Sequence, residues 1–264
     1  MFRENNLKKL LNSGGKALGC WTSMDSPITT EILAEAGFDF LLIDHEHGYG
    51  DSKGLAVQLQ AMAGTNTSSL LRVPELDQTY IKRVMDTGIE AIMIPGINSA
   101  EEARRAISYI MYPPKGVRGL APGMIRGSRY GIDAAEYVET VNDNLFVICQ
   151  IESPEAVGNI DAIAAVDGVD MLFIGPNDLS ASIGKFWQFD DAEVKELIEG
   201  AEQKILATGK LWGTIPYGGH GWQDLFNRGC ALTTAGSEVA MLKNAATAIV
   251  QQHAANNRTN RAAE

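Results

Sequence analysis

Ionisable side chains follow several apolar runs of this sequence, at the points where the runs end. The segment 44–47 (Asp-His-Glu-His) follows one run, Arg72 lies near the end of the next, and Glu152 and Asp178 follow two later runs. Charged groups next to buried runs lose hydration on folding unless they pair or bind a metal. These four places therefore form one candidate site.

Glu152 and Asp178 are two carboxylates without a cysteine or a clear histidine partner, a set that suits a hard divalent cation such as Mg²⁺ or Mn²⁺. Such a cation could hold a 2-oxo acid through its keto and carboxylate oxygens and stabilise an enolate. A histidine of segment 44–47 is the natural base near neutral pH. Arg72 could place a positive charge beside the developing oxyanion.

Each of these residues also has a structural interpretation. Segment 44–47 could be a solvated loop, Arg72 an ion-pair partner, and Glu152 and Asp178 could each cap a following helix. Capping is individually more common than catalysis. The joint occurrence favours a site, because unrelated caps need no acidic and basic partners at neighbouring strand ends. The absence of a lysine at a comparable strand end disfavours a Schiff base.

Eight apolar runs alternate with amphipathic stretches, and the runs are nearly continuous, as in strands buried on both faces. The predicted strands are residues 17–21, 38–43, 69–73, 91–95, 145–151, 171–174, 210–215 and 231–235. Eight such alternations predict an α/β fold of the (β/α)₈ TIM barrel type, with residues 1–264 as one domain and the chemistry at the carboxyl ends of the strands. An open doubly wound sheet is the alternative, disfavoured because no GxGxxG or Walker motif is present.

Two stretches fall outside this rhythm. Segment 112–130 is long and rich in Gly, Pro and Arg, so it is either a functional loop or a misread element. The polar tail after about residue 255 is expected to fray. The cysteines, Cys20, Cys149 and Cys230, are odd in number and lack metal-ligand spacing, which disfavours a disulfide framework and favours a reducing, cytoplasmic setting. Cys149 lies inside an apolar run and is expected to be a buried thiol.

The chain has 22 basic and 33 acidic residues and a formal net charge of −11. This sign disfavours nucleic-acid binding, which requires phosphate neutralisation. No apolar stretch approaches the roughly 20 residues of a membrane span, so no membrane partner is expected. An anionic substrate would need a local positive charge, such as an arginine or a metal.

These residues resemble the HpcH/HpaI aldolase/citrate lyase family, in particular its metal-dependent 4-hydroxy-2-oxoheptanedioate aldolases. The resemblance covers about residues 7–250. The motifs that carry it are residues 36–44 leading to Glu46 and His47, then 71–74, 112–119, 150–152 and 173–180. Several motifs in the same order are more specific than any one alone, and the resemblance identifies segment 112–130 as a family loop.

The resemblance implies a role for particular residues. It implies His47 as the general base and Arg72 as the arginine that stabilises the transition state. It implies Glu152 and Asp178 as metal ligands, and pyruvate contacts at Gln150 and the backbone of Asn177 and Asp178.

Asp86 falls on the aspartate said to raise the basicity of the histidine. It ends a predicted helix, which places it at the opposite face of a barrel. It could reach His47 if a neighbouring subunit shares the site or if the helix ends differently. Asp44, three residues before His47, is the local competitor for orienting the imidazole.

Two features depart from the family pattern. His45 stands where many relatives have a small residue, so either histidine of segment 44–47 could be the base, and the alignment favours His47. The turn 215–220 is unusually glycine-rich. With Trp21 it is expected to border the aldehyde pocket, which leaves the acceptor open.

The predicted activity is that of a class II aldehyde-lyase that uses Mg²⁺, Mn²⁺ or Co²⁺ to cleave a 4-hydroxy-2-oxo acid into pyruvate and an aldehyde. Oxaloacetate decarboxylation is one alternative. Cleavage of a CoA thioester is another, with Arg118, Arg126 and Arg129 as the basic cluster. A non-catalytic binding barrel is the third.

The resemblance also implies a homo-oligomer, a hexamer or trimer of dimers, with the last helix packed on or exchanged with a neighbour. The apolar stripe that could supply this face is Val239, Leu242, Ala246, Ile249 and Val250. Docking of that stripe on its own barrel is the alternative.

Overall fold

Eight parallel strands close into a barrel in the order of the sequence, which confirms the predicted (β/α)₈ fold. The structure, a computed structural model, describes residues 3–262, and the side chains of residues 3–256. The strands are β1 Ala17–Thr22, β2 Phe40–Asp44, β3 Ser68–Arg72, β4 Ala91–Ile94, β5 Phe146–Ile151, β6 Met171–Ile174, β7 Leu211–Thr214 and β8 Leu232–Ser237. They agree with the eight predicted runs to within a few residues at each end.

Twelve helices are formed by the described residues. They are α1 Asn6–Asn12, α2 Pro27–Glu35, α3 Ser52–Ala61, α4 Gln78–Met85, α5 Ala100–Ile110, α6 Ala134–Asn144, α7 Pro154–Gly158, α8 Ile160–Ala164, α9 Pro176–Ser182, α10 Ala192–Ala207, α11 Trp222–Asn227 and α12 Glu238–Ala262. Side-chain oxygens cap many of their amino ends, as Asp77 does for α4 and Ser99 for α5.

The core has two layers. Inside the barrel, side chains such as Phe40, Leu42 and Phe173 fill the interior, and Leu7 and Leu11 of α1 join this cluster. A second, larger cluster lies between the barrel and the surrounding helices. Because both faces of each strand are covered, the strands are apolar along most of their length.

Segment 112–130 contains no long helix or strand and packs against the carboxyl end of α4. Gly127 donates its backbone N–H to the carbonyl of Asp86 at 3.0 Å, and Arg126 donates to the carbonyl of Thr87 at 2.8 Å. The segment is therefore an ordered loop on the outside of the barrel, not a misread barrel element.

The three cysteines are free and buried, which confirms the predicted burial of Cys149. Burial raises the pKa of Cys20, Cys149 and Cys230 to about 12, so their thiols stay protonated near neutral pH.

The last helix, α12, extends away from the barrel. Its predicted apolar stripe is exposed from Val239 to Val250, so the alternative of docking on its own barrel is not what the structure shows. The homo-oligomer stays a prediction. The polar residues after 255 continue the helix to Ala262, residues 263 and 264 lie outside the described residues, and the expected fraying stays a prediction.

Between residues 3 and 262, no helix combines the length and the apolar composition that a membrane crossing requires.

Gly19 in β1 leaves room for a core aromatic ring. A Cβ at this position would lie 2.4 Å from the nearest atom of the Phe40 ring, and Phe40 is fully buried. Gly19→Ala should therefore destabilise the protein by about 2 kcal/mol, because the ring has to move within a packed barrel. Urea unfolding measures the change. Gly64→Ala is the matched control, since a Cβ there meets nothing within 4 Å. Equal stability of the two variants would contradict this account.

Candidate active site

A buried ion pair between Asp44 and Arg72 lies at the carboxyl ends of β2 and β3. The register pairs the two residues directly across the strands. Arg72 Nε and Nη2 each donate to one carboxylate oxygen of Asp44 at 2.9 Å. Trp21 donates its indole N–H to Asp44 at 3.1 Å, and its ring lies 4.6 Å from the guanidinium carbon. Arg72 is thus fixed on three sides.

Glu46 adds a second carboxylate to the same arginine. Its Oε2 lies 2.6 Å from Arg72 Nη1. A guanidinium has five N–H donors, and Asp44 accepts from two of them. The contact with Glu46 is an ion pair in which Oε2 accepts no hydrogen bond, so the other N–H groups are available to an anionic ligand.

The pKa values of the two acids, Asp44 and Glu46, are shifted in opposite directions. Burial acts to raise the pKa of Asp44, but the hydrogen bonds and positive charge of Arg72 outweigh it and hold the pKa below its usual value. Burial raises the pKa of Glu46, despite the nearby charges of Arg72 and His47. Asp44 therefore serves as the permanent counter-ion of Arg72.

The two histidines of the loop after β2 point in different directions. His47 is exposed, with Nε2 3.9 Å from Glu46 Oε2, and it lines the cavity described below. His45 is buried and contacts Tyr80 of α4, with Nδ1 2.7 Å from the hydroxyl. The structure thus places His47, and not His45, where a substrate could meet it.

Glu152 and Asp178 do not act as helix caps. Ser153 caps α7 with its own side chain, and the capping residue of α9 is Gly175, which makes no side-chain cap. The structural interpretation of these two carboxylates is therefore wrong in both cases, and their side chains are free for another role.

Glu152 lies near other negative side chains, and the positive charge of Arg72 does not fully offset them. Its pKa is raised to about 7, first by burial and then by the charges of Asp178 and Glu46. The backbone N–H of Gly96 donates to its Oε1 at 2.6 Å, which only partly opposes the shift. A divalent cation would relieve this repulsion, so the carboxylates fit the predicted metal.

Gly175 lies close beside the Glu152 carboxylate and the Gln150 amide. A Cβ at this position would lie 3.2 Å from Glu152 Oε2 and 3.1 Å from Gln150 Nε2. No group of three or more metal-ligating His, Cys, Asp or Glu side chains occurs in the described part of the chain. A metal here would thus rely on two carboxylates, with substrate and water oxygens completing its shell.

A cavity of about 260 Å³ opens onto this site. It gathers five residues that the resemblance implied, together with Trp21 and Ile215 of the expected aldehyde pocket. The five are His47, Arg72, Gln150, Asn177 and Asp178. Glu152 and Glu46 line a second cavity, also of about 260 Å³.

Asp86 lies apart from this group. It follows α4 and accepts a hydrogen bond of 2.8 Å from Arg118, whose guanidinium is buried against the ring of Tyr112. Within this chain the structure does not bring Asp86 to His47, and a role across a subunit boundary stays a prediction. Asp44, the local competitor, lies 3.4 Å from the backbone nitrogen of His47.

Sequence reasoning missed the contact of Glu46 with Arg72. β2 ends at Asp44 and Glu46 lies in the loop beyond it, so strand alternation does not set the direction of its side chain. The hydrogen bond from Gly96 to Glu152 could not be predicted either, because a backbone donor has no residue signature.

The sequence profile of the HpcH/HpaI aldolase/citrate lyase family matches residues 17–245. The chain belongs to this family. A hydroxypyruvate/pyruvate aldolase of Roseovarius nubinhibens is 38% identical over 211 residues, which cover 80% of this chain and 82% of the relative. A 5-keto-4-deoxy-D-glucarate aldolase of Salmonella paratyphi C gives the same identity and coverage.

Solved structures of the family share the fold closely. The crystal structure of an HpcH/HpaI aldolase/citrate lyase family protein from Burkholderia cenocepacia superposes with a TM-score of 0.89 at 32% identity, covering 94% of this chain and 98% of that one. Family membership supports a lyase of the aldolase type.

Asp44→Asn should lower the free energy of unfolding by about 3 kcal/mol, because it leaves Arg72 buried without its bidentate counter-ion. Urea unfolding at neutral pH measures this. Asp143→Asn is the control, since Asp143 and its partner Lys115 are exposed and their pair should contribute little. If the two substitutions cost the same, the buried pair does not have the importance given to it here.

Proposed function

We propose that this protein is a divalent-metal-dependent aldolase that reversibly cleaves a 4-hydroxy-2-oxo acid into pyruvate and an aldehyde. The observation that carries the proposal is the convergence of Glu152 and Asp178, two carboxylates outside any cap, beside an arginine with N–H donors that Asp44 does not use. The names of the relatives, which are aldolases of 2-oxo acids, support the same reaction class.

The substrate carboxylate and keto group need positive or donor groups in a chain of net charge −11. The free N–H groups of Arg72 and the side-chain amide of Gln150 supply them at the cavity. The backbone of Asn177 and Asp178 lies at the amino end of α9, where N–H groups favour an anion. The 2-oxo acid would thus lie between β3, β5 and the start of α9.

Glu152 and Asp178 would hold the cation, which supplies Lewis acidity at the C2 carbonyl when bound. His47, at the open side of the cavity, takes the proton of the C4 hydroxyl as the C3–C4 bond breaks. The bonding electrons pass to C3 and the C2 oxygen, the aldehyde leaves, and a proton returned to C3 completes pyruvate.

Arg72 stabilises the negative charge that develops on the C2 oxygen. Its guanidinium is already held by Asp44, Glu46 and the ring of Trp21, so it does not have to reorganise during the reaction.

The thioester alternative loses two of the three arginines of its recognition cluster. Arg118 and Arg126 are buried and donate to Asp86 and to the carbonyl of Thr87, so they cannot bind a CoA phosphate without leaving these partners. Arg129 is only partly buried and pairs with Asp133 at 3.1 Å. Oxaloacetate decarboxylation passes through the same enolate and uses the same site.

The protein should catalyse exchange of the pyruvate methyl protons with deuterium in the presence of Mg²⁺, Mn²⁺ or Co²⁺, which proton NMR measures. This half-reaction needs no knowledge of the aldehyde. EDTA should abolish the exchange and added metal should restore it. Full exchange by a metal-stripped sample would exclude the metal mechanism, and no exchange with any of these metals would favour a non-catalytic barrel.

The affinity of the protein for a divalent metal should increase as the pH rises toward 7. The pKa of Glu152 is about 7 in the metal-free protein, so below that pH the cation has to displace a proton. Affinity should therefore rise by about tenfold per pH unit up to about pH 7 and level off above it. Mn²⁺ titration by calorimetry between acid and alkaline pH measures this.

Glu152→Gln should lower the affinity and remove this pH dependence, because an amide neither ionises nor binds a hard cation well. Glu155→Gln, at an exposed position of α7, is the control and should behave as wild type. A pH dependence that persists in Glu152→Gln would assign it to another group.

A further inference from the structure

His45 belongs to the loop that follows β2, next to Glu46 and His47, and its imidazole is buried. His45 follows β2 and its backbone N–H continues the sheet ladder by donating to the carbonyl of Arg72 at 2.9 Å. Its neighbours Asp44 and Glu46 both contact the guanidinium of Arg72, while the side chain of His45 is only 5% exposed and points away from them. His45 thus packs toward the surrounding helices, whereas Asp44 and Glu46 contact Arg72.

A hydrogen bond connects this imidazole to the neighbouring helix. His45 Nδ1 lies 2.7 Å from the hydroxyl of Tyr80, and the two rings meet edge to face with their centres 6.2 Å apart. Tyr80 belongs to α4, which follows β3, the strand of Arg72. One side-chain contact therefore links the loop of Glu46 and His47 to the helix that follows Arg72.

Gly50, at the end of the loop 45–50, packs against the other ring nitrogen of His45, Nε2. A Cβ on Gly50 would lie 2.5 Å from His45 Nε2 and 3.2 Å from Asp25 Oδ1. Tyr49 donates its backbone N–H to the carbonyl of Ser23 at 3.2 Å, which holds the loop against the segment after β1. The loop 45–50 is therefore wrapped around the imidazole, with Tyr80 on one side of the ring and Gly50 on the other.

We propose that His45 is a positioning residue of the aldolase site, whose hydrogen bond to Tyr80 sets where the loop presents Glu46 and His47 to Arg72. The inference rests on the proposed function. The imidazole touches no reacting atom and acts through the loop backbone on either side of it. A shift of about 1 Å in a catalytic group can cost about a hundredfold in rate, so a modest loosening of this loop has a measurable effect.

Three substitutions distinguish the role of His45 Nδ1, which contacts Tyr80, from that of Nε2, which faces Gly50. His45→Asn keeps a polar atom near the place of Nδ1, and His45→Gln moves the polar atoms toward the place of Nε2. Tyr80→Phe removes the hydroxyl and keeps the ring. Tyr109→Phe, a half-buried tyrosine on α5, is the matched control.

The readouts are kcat and KM for pyruvate deuterium exchange, Mn²⁺ affinity, and stability in urea. We expect kcat to fall at least about tenfold in His45→Gln and Tyr80→Phe, with KM and Mn²⁺ affinity within about twofold of wild type. His45→Asn should retain most of kcat, and Tyr109→Phe all of it. The double variant His45→Gln/Tyr80→Phe should be no slower than the slower single variant, because both remove one contact.

An unchanged kcat in Tyr80→Phe overturns the proposal, as does a His45→Gln protein that loses stability but keeps kcat, since packing alone then explains the residue. If His45→Gln does not fold, the comparison of Tyr80→Phe with Tyr109→Phe decides. Absence of exchange in the wild-type protein with metal contradicts the proposed function itself and is distinguished from these outcomes by the wild-type measurement.

Discussion

The bidentate pair between Asp44 and Arg72 is the interaction on which the arrangement of the site depends. It is possible only because β2 and β3 are paired in a register that sets these residues side by side at the barrel rim. Two charges buried together lose hydration, and the geometry compensates by engaging both carboxylate oxygens and stacking the guanidinium on Trp21. A slip of one residue in that register would turn the side chains of the slipped strand to the other face of the sheet and so separate Asp44 from Arg72.

The rest of the site distributes charge around this pair. Asp44 and Glu46 bring two negative charges to one arginine, and Glu152 and Asp178 add two more nearby. A divalent cation, as proposed, would balance this excess of negative charge. On that proposal, part of the overall acidity of the chain has a particular use at this one place.

The barrel, and the meeting of five candidate residues at one cavity, could be predicted from the sequence, since continuous apolar runs identify strands and a barrel puts their carboxyl ends in one ring. His47, Arg72, Gln150, Asn177 and Asp178 indeed line one cavity. Contacts made by the backbone could not be predicted, as the N–H of Gly96 on Glu152 illustrates.

The position of Asp86 at the carboxyl end of α4 agrees with the helix that the sequence predicted. Its contact with Arg118 could not be predicted, because the path of a loop without periodic pattern cannot be derived from residue spacing.

Glu152 lines a different cavity from the one that contains Arg72, Gln150 and Asp178. Solvent therefore reaches the Glu152 carboxylate through the second cavity. Water entering from that side can hydrate Glu152 while a ligand fills the first cavity. The carboxylate is therefore not sealed from solvent by whatever the first cavity binds.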